Sequence, residues 1–292
     1  MNSSPALFNQ HRSRLFGLSY RMLGSRADAE DILQEAYIRW LRADISELRS
    51  PEAWLVTVVT RLSIDRLRLV RKERENYIGQ WLPEPWVTEY ECSAEQSLEL
   101  AGDLSLAFLA VLERLAPEER AVFLLHDIFE FSYPDIAQML GKSQANCRQM
   151  IHRARLRVRQ DRPRFSVDRE THLLLLEKFI EATRTGDRDQ LKALFADDIT
   201  LTSDGGGKVM SVRKILHGPE RVSRLYHAIK RMLDGRMTFR IAGINGTPGL
   251  LRYVDGMLDA ATSVITDGKY VREILHVRNP DKLALITLRT LP

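Results

Sequence analysis

The sequence predicts a multidomain chain: two all-α domains, a helical bundle and a helix-turn-helix, followed by an α+β domain. Three observations carry this. Through about residue 160, apolar residues recur at helical spacing and several segments start on recognisable caps. At Arg162-Pro163-Arg164 the pattern breaks, and short alternating segments with Gly-containing turns take over. Basic residues gather in two blocks, both in the helical part. At 292 residues the chain has room for two or three domains.

Residues 7–75 read as helices. Ser25 with Asp28 three residues on resembles a capping box. The helix that follows, residues 27–42, places Ile32, Ala36 and Trp40 on one stripe, joined by Leu33, Tyr37 and Leu41. Asp31 and Glu35, with Gln34 beside them, fall away from it. A second helix opens with Ser50 as N-cap, Pro51 at the first helical position and Glu52 in the first turn. Trp54, Leu55, Val58, Val59, Leu62 and Leu69 form its apolar face, and Arg61, Arg66, Arg68, Arg71 and Lys72 populate the rest.

Residues 76–100 read as a linker. Trp81-Leu82-Pro83-Glu84-Pro85-Trp86 cannot be helical, because proline fixes φ and pushes its predecessor extended. Its two tryptophans and leucine call for a surface to dock on.

Residues 101–162 are helical again. Pro117 opens one helix. Ser132 caps a short one over 133–140, Gly141 permits a sharp reversal, and Ser143 caps a longer basic helix from Gln144 to about Gln160. Short helix, Gly-containing turn, capped basic helix is the helix-turn-helix pattern. Beyond the boundary, residues 169–185, 187–195 and 219–233 read as helices. Residues 199–203, 209–215, 237–244, 250–254, 263–265, 270–277 and 283–288 read as strands of a curved sheet.

Charge sharpens the picture. Residues 61–74 hold six basic residues against Asp65 and Glu73, a net of +4. Residues 75–135 oppose Arg114 and Arg120 to thirteen acids, a net of −11. Residues 136–165 oppose eight basic residues to Asp161, a net of +7. Two basic blocks around an acidic stretch fit two contacts with a polyanion, or two solvated helix faces. In the helix-turn-helix, Gln144, Asn146, Arg148, Gln149 and His152 suit base edges; Lys142, Arg153, Arg155 and Arg157 suit phosphates.

Other classes find little support. The apolar runs are too short to span a bilayer, and no secretory signal opens the chain. Cys92 and Cys147 read as reduced thiols of a cytosolic protein. His217, His227 and His276 are scattered without metal-ligand spacing. There is no nucleophile elbow or phosphate loop, and no cofactor is called for. Asp204, Asp255 and Asp259 remain as acids that could line a pocket.

Several stretches then resemble one family. Ala27-Asp28-Ala29-Glu30-Asp31-Ile32-Leu33-Gln34-Glu35-Ala36-Tyr37 looks like the polymerase-binding segment of the sigma-70 superfamily, extracytoplasmic-function group. Pro51-Glu52-Ala53-Trp54-Leu55 with Ile64-Asp65-Arg66-Leu67-Arg68 resembles its −10 promoter helix. Residues 115–157, opening Leu-Ala-Pro-Glu-Glu-Arg and ending His152-Arg153-Ala154-Arg155, resemble its −35 domain. The resemblance covers about the first 160 residues. It implies that Asp31, Gln34 and Glu35 meet core RNA polymerase. At the −10 element it implies Arg42, Arg49, Trp54, Arg61, Asp65, Arg66 and Arg68, with the loop 42–49 capturing a flipped base. At the −35 element it implies Lys142, Ser143, Gln144, Asn146, Arg148, Gln149, His152, Arg153 and Arg155. The family often carries Asn where this chain has Arg61, so its base preference there does not transfer.

The last 125 or so residues are similar to a SnoaL-like domain, a cone-shaped α+β fold. Trp81-Leu82-Pro83-Glu84-Pro85, Asp204-Gly205-Gly206-Gly207-Lys208 and Asn279-Pro280-Asp281-Lys282-Leu283 match the subgroup of these sigma factors that carries such an extension. The expectation is a sigma factor with residues 1–75 and 101–165 as promoter domains, 76–100 as linker and 166–292 as a regulator in cis. The linker or a sigma domain would dock on the Asp204–Lys208 face, near 279–283. Its partners are core polymerase and promoter DNA, no membrane, and a pocket ligand left open; the free chain is expected to be a monomer. A DNA-binding regulator that never meets polymerase and a DNA-tethered cyclase or isomerase remain as alternatives.

Overall fold

The structure is a computed structural model that describes residues 4–44, 48, 50–88, 104–161 and 167–286. Arg49, much of the 42–49 loop, Cys92, the linker beyond residue 88 and the boundary at 162–164 lie outside the described residues. Those described fall into two compact units. One draws on Met1–Glu75, Ser93–Leu104 and Phe108–Arg162, the other on Asn76–Cys92, Ser105–Ala107 and Pro163–Pro292.

The first unit is all-helical: α1 (Ser4–Leu23), α2 (Arg26–Arg42), α3 (Pro51–Glu75), α4 (Leu106–Leu112), α5 (Pro117–Asp127), α6 (Tyr133–Leu140) and α7 (Gln144–Asp161). The expected caps are present. Ser25 Oγ accepts from the Asp28 amide at 3.2 Å, Ser50 Oγ from Ala53 at 3.2 Å and Ser143 Oγ from Asn146 at 3.2 Å. Gly141 takes φ 64°, the left-handed conformation that closes α6 and turns the chain into α7.

One expectation is corrected in α3. Its buried row is Leu55, Val56, Val59, Thr60, Ser63, Ile64, Leu67 and Val70, whereas Leu69 is 58% exposed. A 3.6-residue repeat started at Leu55 passes through Thr60 and Ser63, whose polarity hid the true stripe.

The second unit joins α8 (Arg169–Thr185), α9 (Arg188–Leu194), α10 (Pro219–Met232) and α11 (Pro280–Leu283) to a seven-stranded sheet in the order β1-β4-β5-β6-β7-β2-β3. The strands are β1 (Val87–Thr88), β2 (Phe195–Asp204), β3 (Leu216–His217), β4 (Met237–Ile244), β5 (Thr247–Val254), β6 (Met257–Thr266) and β7 (Val271–Val277). Pairs are antiparallel except β2 with β7, and three ladders carry register shifts of the kind that bend a sheet. Phe179, Leu176, Val222 and Tyr226 of the helices pack with Leu201, Leu250, Val264 and Ile274 of the strands to form the core. This is the α+β layering expected of a SnoaL-like domain.

Two predicted strands are absent. Residues 209–215 form no ladder, because Gly206 and Gly207 at φ 61° and 71° fold the chain into a turn and only Leu216–His217 rejoins the sheet. Residues 283–286 are turn-like: Asn279 caps α11, and Ala284 and Ile286 bond back to Pro280 and Leu283.

Candidate nucleic-acid interface and linker site

On α2, Asp31 and Gln34 are exposed and Glu35 is half-buried, bonded to Arg39 at 2.8 Å. Ile38 and Leu41 beside them are 43% and 53% exposed, so the stripe that Leu41 was expected to join ends at Trp40. The face is acidic with an apolar border.

Arg42 is exposed at the end of α2. Trp54 is half-buried against Trp40, ring centroids 5.7 Å apart. Along α3, Arg66 pairs with Asp28 at 2.7 Å, which ties it to the start of α2. Arg61 Nε donates to the Met139 carbonyl at 2.8 Å, and Arg68 pairs with Asp65 at 3.1 Å and Glu118 at 2.6 Å. The expected −10 cations are therefore present as a row, with two of them turned onto α5 and α6.

The helix-turn-helix presents Ser143, Gln144, Asn146, Arg148, Gln149, His152 and Arg153 to solvent. Cys147, Met150, Ile151 and Ala154 pack inward. That is the split a groove-reading helix needs. Arg148 lies over the Tyr133 ring at 5.3 Å. Arg155 grips Asp127 at 2.8 and 2.6 Å, and Arg153 and Arg157 meet Glu119 at 3.3 and 2.5 Å. Lys142 meets Glu118 at 2.8 Å, and with Arg68 it holds the Glu118 carboxyl below its usual range.

In the second unit the three short motifs converge. Asp204 at the end of β2 is fully buried. It accepts from Lys282 Nζ at 2.6 Å, the Leu82 amide at 2.9 Å, the Gly206 amide at 3.1 Å and the Tyr77 hydroxyl. Lys282 also donates to the Leu82 carbonyl and sits over the Trp81 ring at 4.1 Å and the Tyr77 ring at 5.3 Å. Asn279 Nδ2 donates to the Tyr77 hydroxyl at 2.8 Å. Burial and the Asp204 carboxylate raise the Tyr77 hydroxyl well above its ordinary value, so it remains a donor. Lys208 pairs with Asp281 at 2.5 Å on the surface.

The glycines are explained by close approach. A Cβ on Gly206 would stand 2.4 Å from Asn279 Nδ2, one on Gly207 2.9 Å from Ile78, and one on Gly205 2.5 Å from Ser211. Leu82, Pro83 and Pro85 are buried; Trp81, Glu84 and Trp86 are half-buried. Past them the linker becomes β1, an edge strand paired with β4 (Val87 opposite Ile244), and Asn245 exchanges bonds with the Trp86 backbone at 3.1 and 2.8 Å. Sequence reasoning missed Tyr77, Asn245 and Thr88. A β-branched Val-Thr pair after a proline run, facing Gly243 with its missing side chain, was the one available signal.

The acids considered for a pocket are all engaged. Asp255 pairs with Arg236 on a surface turn. Asp259 is gripped by Arg252 at 2.9 Å and Arg278 at 2.7 Å; burial opposes its charge, but the two guanidinium groups hold its carboxyl below the usual range. His276 is buried and meets Thr262 Oγ1 at 2.7 Å. Burial, then Arg252 and Arg278, push the His276 imidazole well below its ordinary value. His227 meets the Gly186 carbonyl at 2.8 Å. No helix among the described residues is long and apolar enough to cross a membrane.

Comparison with known proteins bears on this geometry. The model for sigma-70 region 2 matches residues 7–73, and that for sigma-70 region 4 matches residues 105–158. An ECF RNA polymerase sigma factor of Mycobacterium tuberculosis, SigJ, is 34% identical over 94% of this chain and 91% of its own. SigI of the same organism, called a probable ECF RNA polymerase sigma factor, is 31% identical over 95% and 94%. The crystal structure of the M. tuberculosis extracytoplasmic function sigma factor SigJ superposes with a TM-score of 0.79 at 32% identity, covering 97% of this chain and 99% of that one.

Proposed function

The chain belongs to the ECF RNA polymerase sigma factors, and from that premise we propose how its residues divide the work of directing core polymerase to promoters. Residues 1–75 meet polymerase and the −10 element. Asp31, Gln34 and Glu35 give an acidic face whose complementarity sets orientation and on-rate. Arg42, Arg49, Trp54, Arg61, Asp65, Arg66 and Arg68 serve the −10 strand. Residues 101–165 read the −35 element through Gln144, Asn146, Arg148, Gln149 and His152, with Lys142, Ser143, Arg153 and Arg155 on phosphates.

The C-terminal domain, residues 166–292, regulates these two in cis through the linker, residues 76–100. The observation that carries this is Asp204: a fully buried carboxylate whose partners include Tyr77 and Leu82 of the linker and Lys282 of the same domain. Holding Tyr77–Thr88 on the sheet shortens the free tether between the promoter domains. Alanine at Gly206 and Gly207 puts methyl groups where Asn279 and Ile78 stand. These changes should release the linker to limited proteolysis and alter run-off transcript yield severalfold. Unchanged yield with a released linker removes the regulatory reading.

The domain acts without catalysis on this reading, since Asp204, Asp255 and Asp259 are each committed to cations or amides. A small ligand would act through the recess of about 160 Å³ bordered by Ile78, Ser203, Gly205, Gly207 and Ser211, because filling it moves the linker. The free chain is monomeric; light scattering on a sizing column checks it.

A further inference from the structure

Glu118 stands in the first turn of α5, where the helix N-terminus favours a carboxylate. Its two oxygens face two different helices. Oε1 takes Arg68 of α3 at 2.6 Å and Oε2 takes Lys142, just before α7, at 2.8 Å. Arg61 closes the same side on the Met139 carbonyl at 2.8 Å. Arg61, Arg68 and Lys142 are residues proposed above to hold promoter DNA, and a carboxylate offers them the same paired oxygens as a phosphate.

A second, deeper contact joins the same helices. Glu113 takes Arg120 at 2.7 Å and also Arg74. Arg74 donates to the Leu23 carbonyl at 3.0 Å and Arg120 to that of Met22 at 2.6 Å. Arg120 is fully buried, yet its Nε and Nη2 meet no acceptor among the described residues. Buried donors left unmade weaken a contact, which suits one that has to open.

Promoter elements centred roughly 25 base pairs apart lie about 85 Å apart at about 3.4 Å per pair. Two side chains that share one carboxylate cannot serve both. We infer that Glu118 is an internal counterion that stands in for DNA phosphate, closing the free sigma core until polymerase or promoter DNA displaces it. This rests on the sigma reading of α3 and α7, and goes beyond it in assigning a competitor to the DNA-binding cations.

Spin labels at Leu69→Cys and Leu156→Cys, both exposed positions, report the α3–α7 distance in the full chain with Cys92→Ser; Cys147 is buried. The wild type should show one short distance that lengthens with core polymerase and promoter DNA. Glu118→Gln should add a long-distance population to the free protein and tighten binding to promoter duplex about two- to tenfold, the scale of two part-exposed ion pairs. Salt should lengthen the wild-type distance too, since exposed pairs are screened; this arm stands if Glu118→Gln folds poorly. Distances and affinity that do not move with Glu118→Gln, or an unmoved distance under salt where that variant does not fold, overturn the inference. Run-off transcription by the wild type is read in parallel, so its failure would remove the sigma reading while the distances still report on Glu118.

Discussion

Lys282 Nζ lies 2.6 Å from the Asp204 carboxylate, with Asp204 fully buried and Lys282 only 7% exposed. Sixty or more residues separate each from the other and from the linker they grip, so the pair exists only in the folded second unit. A buried pair is weak evidence for net stability, but it is strong evidence for specificity here: the remaining lone pairs and protons all go to Tyr77, Leu82 and Gly206.

Breaking that pair from one side should cost about 3–5 kcal/mol, because the other charge stays buried without its partner. Urea denaturation of Lys282→Met and Asp204→Asn measures this. The double variant should cost less than the sum of the two singles; strict additivity would show that the pair does not couple.

Tyr77→Phe keeps the ring under Lys282 and removes the hydroxyl that joins Asn279 to Asp204. The expected loss is about 1–3 kcal/mol from the unmet polar groups. Proteolytic cleavage within 77–88 should accelerate by a comparable factor, and an unchanged cleavage rate would mean that the hydroxyl does not hold the linker.

His276 gives the second unit a pH dependence. The folded state holds it neutral, while the unfolded chain protonates near its ordinary value of about 6.5. Below that pH the unfolded state binds more protons, so stability falls as pH drops through about 6.5, by up to about 1.4 kcal/mol per pH unit. Above it the histidine contributes no slope. His276→Gln should flatten the stability profile between pH 7 and 5, which denaturant titrations at each pH would reveal.

In α7, Gln149→Ala should relax sequence preference at one position of the −35 element and cost about 1–3 kcal/mol, while Arg153→Ala should weaken binding to all sequences alike and lower the salt slope by about one. Binding isotherms on a substituted duplex series, repeated at several salt concentrations, separate the two.

Much of the architecture was legible in the sequence. Ser25, Ser50, Ser132, Gly141 and Ser143 mark helix ends by local chemistry, and local chemistry survives into the fold. The three motifs of the linker site were legible as strings, but their joint geometry was not. Tyr77 is a lone residue in a linker, and only the ladder between β1 and β4 makes Val87–Thr88 a strand. Leu69 misled because an apolar residue can sit outside a helix face whose continuity runs through Thr60 and Ser63. Glu118 and Glu119 read as ordinary first-turn acids; their pairing with Arg68, Lys142 and Arg157 needs helices far apart in sequence to meet.

Run-off transcription with bacterial core polymerase, on a promoter selected from a random library, compares the full chain with one ending at Arg164. Both should give transcripts with one defined start, in clearly different amounts. No defined start from either chain would contradict the assignment as an initiation factor, and equal amounts from both would contradict regulation by the C-terminal domain.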